Sequence, residues 1–164
     1  MTDSGSILLF LHLLGGASWL GASIVANLVL VPYVGRRPPA ERPELVRRLI
    51  LAPEKLFIGS ALLAGITGLL LGVMSGRIRD PGDVSTPFGV LWVASIVVAI
   101  AVFATGGLLT SRAAAQVASR ATADGGSAPD DGGEAAFRRL RVGFAAELAG
   151  IVSILALMVA LGRS

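Results

Sequence analysis

Cysteine is absent from the 164 residues, and histidine and lysine occur once each, as His12 and Lys55. Without cysteine there is no disulfide, no thiolate metal site and no covalent haem attachment through a Cys-x-x-Cys-His motif. With His12 alone, one chain cannot supply a two-histidine metal or haem site. Charge is scarce as well. Asp, Glu, Lys and Arg make up 15% of the chain, against about 25% in a soluble domain. No nucleophile–base pair, phosphate-cradling loop or dinucleotide fingerprint is found. Gly15-Gly16 and Gly106-Gly107 lie inside helical runs and follow no strand, so they are not phosphate loops.

What is there is long apolar sequence: 54% of residues are hydrophobic. Ile7–Val34 and Val84–Ser111 carry no charge over 28 residues each, and Leu56–Gly76 none over 21. Val142–Gly162 carries only Glu147 in 21 residues. About 20 apolar residues cross a hydrocarbon core, so all four runs qualify. The first run follows Met-Thr-Asp-Ser-Gly-Ser, which has no basic residue. It is also longer than a signal-peptide core, and it reads as an uncleaved first helix.

The basic residues fall on alternate loops. Eleven lie in the first and third, from Arg36 to Lys55 and from Arg112 to Arg141, and three (Arg77, Arg79, Arg163) lie on the other side. The pI near 10.5 is therefore a topology signal and not a nucleic-acid footprint. The expectation is an all-α fold: a bundle of four transmembrane helices, N-out and C-out, near residues 6–33, 53–76, 87–111 and 138–161. The chain is a single membrane domain, multi-pass in the bacterial cytoplasmic (inner) membrane. Glu41–Leu51 reads as a short amphipathic helix at the cytoplasmic interface. Arg36, Arg37, Arg47, Arg48 and Lys55 would meet lipid phosphates or a partner there. Asp80-Pro81-Gly82-Asp83 is a turn, Thr86-Pro87 is an N-cap with a first-turn proline, and 124–133 is a flexible linker.

Small residues recur every fourth position in the second run (Ala64, Gly68, Gly72, Gly76), with shorter rows at Ser18-Ala22-Ala26 and Ala146-Gly150. Such rows let backbones approach. They serve either packing within the bundle or a homodimer or larger membrane complex.

Intramembrane polar groups are functional candidates. At about 100° per residue, His12, Gly16, Trp19, Ser23 and Asn27 share one face. An imidazole followed one turn on by glycine and then by an aromatic suits a flat cofactor, with His12 as iron or metal ligand. The alternative is a polar stripe facing the bundle interior. Glu147 either shares a hydrogen bond with Asn27, as a proton or solute group, or reaches toward the nearby arginines. His12 and Glu147 lie at different depths and cannot form one site. Glu54 suits the positive end of the second helix. Thr105, Thr110 and Ser111 are expected to bond their own helix.

The run Phe10-Leu11-His12 through Trp19-Leu20-Gly21-Ala22 resembles the Leu-His-x6-Trp-x-Gly first helix of small bacterial membrane proteins. Among them are the copper-resistance-D-like domain, the HemJ-type protoporphyrinogen oxidases and a related uncharacterised integral membrane family. Arg47-Arg48-Leu49-Ile50, Pro53 and Ala64–Leu70 are similar to their second helix. The resemblance covers about the first 75 residues. It implies a haem or metal role for His12, with Trp19 and Gly21 matching as structure. The chain departs from it at Ser95, since the oxidase type carries a lysine in its third helix. Copper handling would also want more ligands than Met74 and Met158 can provide.

Three functions follow as expectations. The first is a haem b or redox-accessory protein with His12 as axial ligand and Met158, a symmetry mate or water opposite. The second is a non-enzymatic transport or complex subunit using the His12–Asn27 stripe and Glu147. The third is a structural protein acting through its basic loops.

Overall fold

The computed structural model describes residues 3–120 and 131–163, and every regular element among them is helical. Four helices are long and apolar enough to cross a membrane, the architecture of a multi-pass membrane protein. Helix α1 comprises Asp3–Val25, Ala26–Leu30 and Val31–Gly35. Helix α2 comprises Arg42–Val46, Arg47–Leu51 and Glu54–Met74. Helix α3 comprises Pro87–Thr105, Gly106–Thr110 and Ser111–Ser119. Helix α4 is Asp131–Leu161. It starts within the stretch expected as linker, whose residues 124–130 lie outside the described residues.

The middle segments of α1, α2 and α3 are π-turns, and two of them have a cause in the sequence. Proline gives no N–H to the carbonyl four residues back, and its ring crowds that carbonyl. One residue before Pro32, Val31 N–H donates to the Ala26 carbonyl, five residues back. One residue before Pro53, Ala52 N–H donates to the Arg47 carbonyl at 3.0 Å. In α3 the Ser111 N–H reaches Gly106. No proline follows there, and Gly106-Gly107 supply the pliable backbone.

Helix α1 packs along α2, and α3 along α4. The first pair meets at Gly15, where a Cβ would stand 2.8 Å from the Ala64 nitrogen and 3.0 Å from the Ser60 carbonyl oxygen. The α2 row faces inward: Gly68 lies under the His12 ring and Gly72 under Trp92 of α3. The shorter rows pack through one member each: Ala26 is buried, and a Cβ at Gly150 would stand 2.1 Å from Val102 of α3. Ser18 and Ala146 are exposed, and other small residues, Gly15 and Ser23 on α1 and Ala136 and Gly143 on α4, are buried. Each helix face is selected by its neighbour's shape, which spacing alone does not reveal.

At the end rich in arginine all four helices close together. Val34, Val46, Ala114 and Leu140, one from each helix, are 0% exposed. The segment expected to lie amphipathically at an interface thus turns Val46 and Ile50 against α3 and α4. Arg42 fastens the same end. Its guanidinium donates to the Gly35 carbonyl at 3.2 Å, the Arg37 carbonyl at 3.0 Å and Glu134 at 2.6 Å. It also lies 5.1 Å from the Phe137 ring centroid.

At the other end Gly76 takes a left-handed φ of 69° and stops α2. Thr86 Oγ accepts from Gly89 N–H at 3.1 Å and starts α3, as the Thr86-Pro87 pair indicates. The outward surface is apolar: Leu28 is 69% and Leu56 77% exposed. Such a surface suits hydrocarbon and not water.

Candidate functional site

Helices α2 and α3 touch at two levels. Near the arginine-rich end, Val46 and Ile50 meet Ala113, Ala114 and Val117. Toward the other end, Trp92 closes on Gly72. Between these levels lies a cavity of about 250 Å³, to which all four helices contribute. Each π-turn borders it, through Ala26, Ile50 and Gly106. A π-turn shifts the residues beyond it onto a new face, and such turns are frequent at functional sites.

Two carboxylates enter the cavity, Glu54 from α2 and Glu147 from α4. They are held by consecutive residues of α3. Thr110 donates its hydroxyl to Glu147 Oε1, and Ser111 donates its hydroxyl to Glu54 Oε1. A glycine makes the room: a Cβ at Gly143 would run into the Thr110 side chain. Gly106 stands beside the Glu147 carboxyl. Glu147 is 6% exposed, and its Oε2 has no hydrogen-bond partner among the described residues. The rest of the wall is apolar, with the rings of Trp19, Phe57, Phe103 and Phe144. A carboxylate in such surroundings is poorly solvated, and either a proton or a bound cation relieves that cost.

The polar stripe of α1 divides between two places. His12 Nδ1 lies 2.9 Å from the Ala64 carbonyl oxygen and 3.4 Å from Thr67 Oγ1. The carbonyl can only accept, so Nδ1 carries the proton. Nε2 is then left without a partner among the described residues. Gly16 faces open space. Trp19 borders the carboxylate cavity, and Met158 packs on Val102, Ile151 and Ile154. The Ser23 hydroxyl is buried with no hydrogen-bond partner among the described residues. Asn27 Nδ2 donates to the Ser23 carbonyl at 2.9 Å and the Phe144 carbonyl at 3.0 Å, so the expected Asn27–Glu147 bond is replaced by Thr110–Glu147. His12 and Glu147 belong to separate places, as their depths required.

Of the basic residues, Arg37 stacks 4.7 Å over the Tyr33 ring centroid and donates to its hydroxyl at 2.8 Å. Arg47 and Arg48 both pair with Glu44. Arg36 and Lys55 are exposed.

The sequence alone does not single out Glu54, Thr110 and Ser111. Glu54 looked like a residue placed for the helix dipole, and the hydroxyls looked self-bonded. Thr105 does bond its own helix, at the Ala101 carbonyl, 2.9 Å away. Thr110 and Ser111 instead reach across to other helices. The available signal was a pair of hydroxyls just after Gly106-Gly107, at the level of the only intramembrane acid.

The fold and the cavity define an all-α membrane protein of four apolar helices with a shared carboxylate chamber. Compared with protein-family models, curated proteins and solved structures, the chain has no match. No family is therefore assigned.

Proposed function

We propose that the chain is a non-enzymatic protein of the bacterial cytoplasmic membrane that binds and moves a small positively charged solute through the Glu147 cavity. The observation that carries this reading is the Glu147 carboxylate. It is buried and bonded by one hydroxyl, with its second oxygen open to a chamber that Glu54 shares. The eleven basic residues on one side support an orientation with both ends outside. Arg36 and Lys55 then face lipid headgroups on the cytoplasmic side. Because the chain has no cysteine, single-cysteine labelling reads this orientation cleanly. Ser85→Cys should react with an impermeant maleimide on intact cells, and Ala40→Cys only after permeabilisation.

The test of function is flux. Proteoliposomes of wild type and Glu147→Gln are compared with sodium, potassium, magnesium and organic ammonium ions. One of these should move only with wild type. Equal behaviour of both proteins throughout the panel contradicts the reading.

A second reading rests on His12. An imidazole whose Nδ1–H is held by a backbone carbonyl presents Nε2 to a ligand, the usual arrangement at metal and haem sites. A haem b would take Nε2 as one axial ligand, beside the open space at Gly16. The remaining members of that set do not gather round it, since Trp19 borders the acid chamber and Met158 an apolar cluster. A Soret band that His12→Ala removes would favour haem. Its absence with haem supplied ends that reading.

A further inference from the structure

We infer that the solute of the Glu147 cavity is a small lipophilic organic monocation, an ammonium bearing one ring or a few short alkyl groups. It enters sideways between α2 and α3. This rests on the cation reading above and adds the chemical class and the route.

The class follows from the wall. Trp19, Phe57, Phe103 and Phe144 bring four of the chain's nine aromatic rings to one chamber. Aromatic faces attract desolvated cations, quaternary ammonium above all. A hard metal ion would need about six oxygen ligands to replace its water. Here the wall gives two carboxylates and two hydroxyls, and both hydroxyl protons are committed to those carboxylates. The apolar remainder offers a metal ion nothing. A weakly hydrated organic cation loses little on entering and gains the rings.

The charge follows from the difference between the two acids. Glu54 is only half-buried and keeps access to water, which with the Ser111 hydroxyl offsets its charge. Glu147 lies in mid-helix with Thr110 alone. One uncompensated carboxylate takes one monocation in exchange for one proton.

The route and size follow from the opening. Ile58 and Phe103, on its two lips, are 41% and 43% exposed, and Gly107 beside them is exposed. These lips are apolar and lie on the faces that meet hydrocarbon. The volume of about 250 Å³ falls just below the range of about 300–1,000 Å³ for ligand sites, so a single-ring ammonium fits better than a bulky drug.

The test is a titration of the full chain in nanodiscs with benzyltrimethylammonium, sodium or magnesium chloride, following tryptophan emission, since Trp19 borders the chamber. Benzyltrimethylammonium should give a saturable change, at least tenfold weaker in Glu147→Gln and severalfold weaker in Phe57→Leu, a substitution that keeps the wall apolar. If sodium or magnesium alone gives the Glu147-dependent change, the organic-cation inference is overturned and the cation reading stands. If no cation gives it, both fall. Should Glu147→Gln not fold, Phe57→Leu decides alone: binding unchanged by loss of the ring overturns the aromatic recognition argued here.

Discussion

Glu147 and Glu54 come from different hairpins and meet on consecutive hydroxyls of α3, Thr110 and Ser111. This arrangement makes one short stretch of backbone responsible for two acids. The Ser111–Glu54 bond also ties the hairpins together, as the Asn27–Phe144 bond does between α1 and α4.

Thr110→Val leaves a buried carboxylate oxygen without its donor. An unsatisfied buried group costs about 1–3 kcal/mol, more when charged. Ser111→Ala should cost less, because Glu54 is only half-buried and keeps access to water. Unfolding in mixed micelles measures both. Equal, negligible losses would mean that the hydroxyls do not hold the acids.

Adjacent glycines of α1 should behave oppositely. At Gly15 an added methyl meets backbone of α2, which cannot move aside, so Gly15→Ala should destabilise by about 1–3 kcal/mol. At Gly16 it meets nothing within 4 Å, so Gly16→Ala should be nearly silent. A related test uses Gly68, where a Cβ would lie 2.8 Å from His12 Cε1. Gly68→Ala should be harmful in wild type and harmless in His12→Ala, a coupling of about 0.5–3 kcal/mol in a double-mutant cycle.

Arg42→Lys should not rescue Arg42→Ala. The guanidinium serves two carbonyls, a carboxylate and an aromatic face together. A point charge on a flexible stem cannot match that fork. Thermal unfolding of the two variants should therefore fall together, below wild type.

The Asp83 carboxylate accepts from the backbone N–H groups of Asp80, at 2.9 Å, and Arg79, at 2.7 Å. These bonds favour the charged form and hold its pKa below the ordinary 3.8. The stabilisation is complete above that value and is lost as pH falls through the lower folded value. Amide resonances of Arg79 and Asp80 should titrate with a midpoint below 3.8, and Asp83→Asn should abolish the titration.

Much of the fold was legible. Four apolar runs, three of them uncharged and the fourth carrying only Glu147, mark the helices because hydrocarbon admits little else. The α2 row from Ala64 to Gly72 packs inward because only small residues let α1 and Trp92 approach. The chamber was not legible, because it depends on phase. Pro32, Pro53 and Gly106-Gly107 insert π-turns that rotate the faces beyond them, and a constant 100° advance misses this. Asn27 and Glu147 looked like partners at equal depth, yet Asn27 spends its amide on two carbonyls and Thr110 takes the acid. Glu54 looked settled at a helix end until α3 was brought beside it.

The most direct test of the central claim is labelling of Glu147 by an apolar carbodiimide in wild-type membranes, mapped by mass spectrometry, with and without benzyltrimethylammonium. The account predicts that the label falls on Glu147 and that the cation slows it in proportion to occupancy. Labelling at the same rate at every concentration of every cation would contradict it.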